Sequence, residues 1–309
     1  MHNFRNLFTT HWPRQRLYSI RAGLRRAASG VAVIGLTFAI VWPAAADQVI
    51  TLNYTRDAGG ATVSQSYILV SDNDPDYSLP GAKATLLLFV GGSGRIGASD
   101  GQIGVNAANY LLRTRRHFAA AGPFNVAVMD AASDFLALPG GLRHQRLSPE
   151  YLEDMQRVAA DLRTRFPGLP LYAMGTSRGT VGAAVFAAGL SPADGGPDGL
   201  ILTAPVTVPS GGGDHISVEA PFTIDLAAIA VPSLVVAHKD DGCVVTPPEN
   251  AEPLRHLLQQ SGIEAKHKMI SGGLPPISDA CQALSEHGFF GVEQKSVDQI
   301  SNWISKQVD

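Results

Sequence analysis

A serine between two glycines stands where a hydroxyl could act as a nucleophile. In "LPLYAMGTSRGT", Ser177 follows Gly175 by two residues and precedes Gly179 by two. An apolar stretch typical of a strand comes before this pattern, and small apolar residues typical of a helix come after it. A sharp strand-to-helix turn of this kind exposes the hydroxyl, and its flanking residues must be small because the two backbones nearly touch. The alternative is a plain strand–turn–helix junction.

A serine nucleophile needs a base, and the base needs an acid to orient it. With a nucleophile on such a turn, the acid and then the histidine follow along the chain. A predicted strand ends at Asp240 and Asp241, and we prefer Asp241 because Gly242 and a turn-like run follow it; Asp240 is the reserve. His287, in a predicted loop ahead of the last helix, is the expected base. Of the other histidines, His238 is notable because it stands beside the acidic turn.

A second glycine pattern, Gly92, Gly94 and Gly97 in "LLLFVGGSGRIG", has the spacing of a dinucleotide-binding turn. Its context does not fit, because it follows the third predicted strand and no acid stands in 110–119. Asp130, the first acid at a strand end, is too far along. The sequence therefore predicts no cofactor, although an oxidoreductase is a competing hypothesis.

The predicted elements alternate between strands and helices. Two alternating apolar stretches predict an antiparallel hairpin, and six continuous apolar runs predict strands covered on both faces. The strands are expected at 49–55, 62–70, 84–90, 125–130, 169–175, 198–205, 232–238 and 265–271, and the helices at 104–120, 149–166, 178–190, 248–260 and 289–306. Ser148 and Pro149 are expected to start the second helix. This order predicts an α/β fold in one domain, 47–309: a doubly wound, mostly parallel sheet of up to eight strands with an antiparallel N-terminal hairpin.

The first 46 residues predict a secretory signal peptide. They contain six arginines and no acid, then the apolar stretch 30–42, then an A-x-A site that ends at Ala46. An uncleaved membrane anchor is the alternative. Removal of these 46 residues would take away the six arginines and change the net charge of the chain from −3 to −9. A negative charge of this size argues against a nucleic-acid partner. We expect a periplasmic or secreted protein.

The chain resembles the α/β-hydrolase fold superfamily, and specifically a small exported serine hydrolase or esterase. The resemblance covers most of 49–306. It implies Ser177 as nucleophile, His287 as general base and then acid, and Asp241 as the carboxylate that orients the imidazole. It also implies an acyl-enzyme intermediate that water resolves.

The resemblance also implies an oxyanion hole. One donor would be the backbone N–H of Arg178, and the other would come from Gly92 or Ser93 in the loop after the third strand. The His-Gly pair usual in the family at this loop is replaced here by Gly91-Gly92, so the exact donor is open.

The two cysteines, Cys243 and Cys281, stand close in sequence to the acid and the base. A bridge between them would tie the acid loop to the base loop, and export favours it over two free thiols. No C-x-x-C motif or histidine cluster is present, so no metal site is expected.

The expected substrate is a small-molecule ester. A serine peptidase or amidase is the same-class alternative, and a catalytically silent binding protein is the alternative from another class. The gap 206–229 is too short for a separate lid domain, so an open site is expected, with rims at 206–229 and 131–146. The sequence leaves the substrate and the oligomeric state open.

Overall fold

Eight strands form one sheet in the computed structural model, which describes residues 47–56, 60–70, 81–98 and 103–309. The strands are β1 (Gln48–Thr55), β2 (Thr62–Leu69), β3 (Ala84–Phe89), β4 (Phe124–Met129), β5 (Leu171–Thr176), β6 (Gly199–Thr203), β7 (Ser233–His238) and β8 (Ala265–Ile270). Their order across the sheet is β1-β2-β4-β3-β5-β6-β7-β8. The β1–β2 and β2–β4 pairs are antiparallel, and the other five pairs are parallel. This confirms the predicted fold class.

The predicted signal peptide, and the membrane anchor that is its alternative, lie outside the described residues. The described residues belong to one compact unit. Among them, no helix combines the length and the apolar character that a membrane span requires.

Six α-helices accompany the sheet in the described part of the chain. They are α1 (Tyr110–Ala121), α2 (Ser133–Leu136), α3 (Pro149–Arg165), α4 (Gly179–Gly189), α5 (Ala251–Leu258) and α6 (Glu293–Val308). The Ser148 side chain accepts the N–H of Tyr151, so α3 begins as its sequence predicts. Helix α1 begins six residues later than predicted, because the Asn109 side chain caps it by accepting the N–H of Leu111.

The unbroken apolar runs are explained by the two covered faces of the sheet. In β3, Leu87 and Phe89 belong to one core cluster, whereas Leu86 and Leu88 belong to the other. Helices α3, α4 and α5 contribute to the first cluster, and α1 and α6 contribute to the second. A strand buried on both faces needs no polar alternation.

The parallel strands bring four chain segments to one edge of the sheet. Each neighbouring pair of strands from β3 to β8 across the sheet is parallel, so the carboxyl ends of β3, β5, β7 and β8 lie at the same edge. Loops at this edge carry the functional groups in open α/β sheets. Ser177 directly follows β5, the acidic turn directly follows β7, and the chain after β8 leads to His287.

Candidate active site

Ser177 lies on a tight turn between β5 and α4. Its φ is 51°, in the left-handed region that residues with a side chain rarely adopt. A Cβ on Gly175 would lie 2.4 Å from the carbonyl oxygen of Gly179, and a Cβ on Gly179 would lie 2.0 Å from that of Phe89. Both glycines are therefore required by close backbone approach, as the G-x-S-x-G pattern predicts.

The turn after β7 separates the two candidate acids. Asp240 is exposed, whereas only 7% of Asp241 is exposed. Asp241 Oδ2 lies 3.1 Å from Nδ1 of His287, and Asp241 Oδ1 accepts the backbone N–H of Cys243 at 2.9 Å. The geometry therefore favours Asp241 over Asp240 as the partner of the histidine.

Thr246 contacts both Asp241 and His287, and the sequence did not predict this role. Its hydroxyl donates to Asp241 Oδ2 at 2.9 Å and lies 3.0 Å from His287 Nδ1. Because Thr246 gives its hydroxyl proton to the carboxylate, His287 Nδ1 must carry the proton that it shares with Thr246 Oγ1 and Asp241 Oδ2. This assigns the tautomer and leaves Nε2 as an acceptor. No sequence motif marks Thr246, since its contact depends on how the 241–246 turn closes.

His287 is held by a short 3₁₀ turn, Glu286–Gly288, before α6. Phe289 follows with a left-handed φ of 57°, which ends this turn and delays the start of α6 relative to the predicted 289–306. The Phe289 ring packs against Tyr110 with centroids 4.8 Å apart. Only 5% of His287 is exposed, so its ring orientation is fixed by packing as well as by hydrogen bonds.

Cys243 and Cys281 are joined in a disulfide that closes a separation of 38 residues. One cysteine lies two residues after Asp241, and the other lies six residues before His287. The bridge therefore connects the turn that holds the acid to the segment that holds the base. Asp241, Cys243 and His287 offer ligand atoms within 4.8 Å of one another. Because the sulfur of Cys243 is bonded to Cys281, it offers no thiolate to a metal ion.

Ser177 and His287 line one cavity of about 450 Å³ at this edge of the sheet. The walls come from the loop after β3, the start of α1, the segment before α3, the disulfide and the segment before α6. Val244, which lines it, is 76% exposed. The cavity is thus open to solvent on the side of the acidic turn.

Two backbone amides border this cavity next to Ser177. Gly92 and Arg178 both line it, and neither amide donates a hydrogen bond within the part of the chain that the structure describes. Ser93 is not among the lining residues, although it shares with Gly92 a turn that the Gly94 N–H closes by donating to Gly91 O at 3.1 Å. Of the two predicted alternatives, the geometry favours Gly92.

The rest of the glycine pattern contacts an internal carboxylate. Asp130, at the end of β4, accepts the N–H of Ile96 at 2.9 Å, of Ala98 at 3.1 Å and of Ala131 at 2.8 Å. Burial raises the pKa of Asp130, and these backbone N–H groups oppose that rise. The Ile96 and Ala98 amides of this loop thus donate to the Asp130 carboxylate and not to a bound phosphate.

His238 has a separate role in the structure. It is 1% exposed, its Nδ1 accepts the N–H of Asp240 at 3.1 Å, and its Nε2–H donates to Gly272 O at 2.8 Å. Both ring nitrogens are therefore used in holding the loops after β7 and β8 together.

No protein-family model matches the chain, and no curated protein matches it. Solved structures do resemble it. A sugar hydrolase from Lactococcus lactis superposes with a TM-score of 0.54 at 17% identity, covering 84% of this chain and 98% of its own. An acylaminoacyl peptidase from Pyrococcus horikoshii gives 0.52 at 10% identity, covering 86% of this chain and 42% of its own.

An α/β serine hydrolase without lid from Xanthomonas campestris gives a TM-score of 0.46 at 16% identity, over 82% of this chain and 95% of its own. The first two similarities agree with the sheet order and the serine turn described above. The chain has the α/β-hydrolase fold. This α/β-hydrolase fold carries no large lid: between β6 and β7, the only helix is the one-turn Leu226–Ala228, in a segment that is described throughout.

The two predicted rims of the cavity each contribute one polar side chain. Arg143 and Ser210 line the cavity, one from each rim segment. Phe135 does not, because it is 5% exposed and packs edge-to-face on Tyr151 with centroids 6.2 Å apart. The rims therefore present polar and basic groups to the cavity.

Proposed function

We propose that this protein is a serine hydrolase that cleaves carboxylic esters through Ser177, His287 and Asp241. The single observation that carries the proposal is the cavity that contains both Ser177 and His287, with Asp241 hydrogen-bonded to the far side of the imidazole. The known hydrolases with the same fold support a hydrolytic reaction.

In the first half of the proposed reaction, His287 Nε2 accepts the Ser177 hydroxyl proton while Oγ bonds to the ester carbonyl carbon. The carbonyl oxygen becomes an oxyanion that the N–H groups of Gly92 and Arg178 stabilise. The C–O bond to the alcohol then breaks, and the imidazolium returns the proton to the leaving oxygen.

In the second half, water replaces the alcohol. His287 takes a proton from the water, the hydroxide oxygen bonds to the acyl carbon, and the bond to Ser177 Oγ breaks as the serine regains its proton. Asp241 accepts the Nδ1–H throughout and stabilises the imidazolium, aided by Thr246. A peptide amide could undergo the same steps, so 4-nitroanilides serve as the comparison substrates.

The test is hydrolysis of short-chain 4-nitrophenyl esters by the purified chain and by Ser177→Ala. We expect kcat/KM to fall by roughly 10⁴–10⁶ in the variant, because the nucleophile that forms the acyl-enzyme is lost. Ser210→Ala is the matched control, since Ser210 lines the same cavity. Equal hydrolysis by wild type and Ser177→Ala would contradict the proposal.

We also propose that the protein acts after export, with its signal peptide removed after Ala46. The N-terminal pattern supports this, and a disulfide is suited to an oxidising compartment. Intact mass and N-terminal sequencing of the protein recovered from a native host should give a chain that begins at Asp47. A chain that retains residues 1–46 would overturn it.

A further inference from the structure

Two arginines are among the residues that line the cavity beside Ser177, and neither side chain has a carboxylate partner among the described residues. Arg143 belongs to the one-turn helix Gly141–His144, and Arg178 directly follows the nucleophile. Among the described residues, neither guanidinium forms an ion pair, and the only side-chain hydrogen bond is from Arg178 Nη1 to Asp214 O at 3.5 Å. Their charges are therefore available to a ligand.

The two guanidinium groups are close enough to influence one another. Burial lowers the pKa of Arg178, the charge of Arg143 lowers it further, and Asp214 raises it. The Asp214 carboxylate itself accepts the backbone N–H of Arg146 at 2.7 Å. Two like charges held together are costly, and an anion between them would relieve that cost.

The protein backbone holds these arginines in place. His144 Nδ1–H donates to Gly212 O at 2.9 Å, and Asp214 N–H donates to Arg143 O at 3.3 Å, so the two rims are bonded to each other. A Cβ on Gly213 would lie 2.1 Å from Nη1 of Arg178. Glycine at this position therefore leaves the space that the guanidinium occupies.

The lining of the cavity contributes no negative charge. It includes Arg143, Arg178 and His287 but no aspartate or glutamate. Fully buried Arg146 lies behind it, donating to Val90 O at 3.2 Å just before the Gly92 loop. Positive charge is thus concentrated in one concave site of a chain whose overall charge is negative.

We propose that the cavity selects esters that carry a second, anionic group, such as a carboxylate, which Arg143 and Arg178 bind while Ser177 attacks the ester carbonyl. This inference rests on the proposed ester hydrolysis and names its substrate class. A charge-assisted bond to guanidinium would hold the anion, and the serine turn would hold the scissile carbonyl. The anionic group can lie on the acyl side or on the alcohol side of the ester, because guanidinium groups bind it in the same way in both cases.

The experiment compares matched esters. For the acyl side, mono-4-nitrophenyl glutarate is compared with 4-nitrophenyl pentanoate; for the alcohol side, 4-acetoxybenzoate is compared with phenyl acetate. We expect kcat/KM to be about tenfold higher for the anionic member of one pair, and added KCl to reduce this preference. Rates with Ser177→Ala are subtracted to remove spontaneous hydrolysis.

Substitutions then locate the anion site. Arg143→Gln should reduce the preference for the anionic ester about fivefold, chiefly through KM, and Arg143→Glu should abolish it. Arg157→Gln is the matched control, because this arginine is on α3, outside the cavity, and pairs with Glu153. It should keep the wild-type preference.

The outcomes separate the two proposals. Hydrolysis of neutral esters without an anionic preference in either pair overturns the anion site and leaves ester hydrolysis intact. A preference that survives Arg143→Glu also overturns it. If no ester is cleaved, ester hydrolysis fails, and calorimetric titration of Ser177→Ala with mono-4-nitrophenyl glutarate and with 4-acetoxybenzoate tests the anion site directly. Binding that is lost in the Ser177→Ala, Arg143→Glu double variant supports the site, and absence of binding refutes it.

Discussion

Removing the disulfide should destabilise the protein strongly. In Cys243→Ala, Cys281→Ala, the unfolded chain regains the freedom that the bridge removed. For a separation of 38 residues, the chain-entropy relation gives a loss of about 4 kcal/mol in the free energy of unfolding. Alanine is chosen because Cys243 is buried, and a serine hydroxyl there would add a desolvation cost.

The assay is urea unfolding followed by tryptophan fluorescence and extrapolated to water. Trp303, which is 5% exposed and packs on Tyr172, reports the loss of the core. Dithiothreitol should destabilise the wild type by a similar amount and leave the double variant unaffected, which separates the bridge from the substitutions. A change in the free energy of unfolding below about 1 kcal/mol would refute the reasoning, since it would mean that the closed loop adds almost no constraint.

Two further predictions concern residues that support the site. Thr246→Val should lower kcat roughly tenfold with little change in KM, because Asp241 loses a hydrogen bond that orients it and His287 Nδ1–H loses a second acceptor; a tenfold loss corresponds to about 1.4 kcal/mol in the barrier. Thr246→Ser should retain activity. Steady-state kinetics with a wild-type kcat in the valine variant would contradict this. Burial raises the pKa of Asp130 in the folded protein above its ordinary value of 3.8. Relative to Asp130→Asn, Asp130 therefore contributes its full stability below pH 3.8 and loses that contribution as the pH rises through its raised pKa. Thermal unfolding at a series of pH values should show the Tm of the wild type rising relative to that of the variant as the pH falls, and the opposite slope would overturn the assignment.

The sheet could be predicted because burial on both faces leaves a direct mark on the sequence. In "ATLLLF" of β3, five of the six residues are apolar, and Leu86 to Phe89 alternate between the two core clusters. The serine turn could be predicted for a similar reason, since Gly175 and Gly179 are required by backbone approach that no other residue permits. Each of these signals is local in the sequence.

The supporting groups could not be predicted, because their roles depend on contacts between distant loops. Thr246 meets His287 across 41 residues, and Asp130 meets Ile96 across 34. The choice between Asp240 and Asp241 likewise depends on which carboxylate the turn buries. Arg143 and Arg178 likewise belong to separate segments, and both contact the segment around Asp214: Arg143 O accepts the Asp214 N–H, and Arg178 Nη1 donates to Asp214 O.

The most direct test of the central claim is the site of covalent modification by a fluorophosphonate. Ser177 is activated by His287 in the proposed mechanism, so the probe should form one adduct, which tandem mass spectrometry maps to Ser177. The adduct should be absent in Ser177→Ala and present in Ser210→Ala. An adduct on another residue, or equal labelling of Ser177→Ala and wild type, would contradict the assignment of Ser177 as the nucleophile.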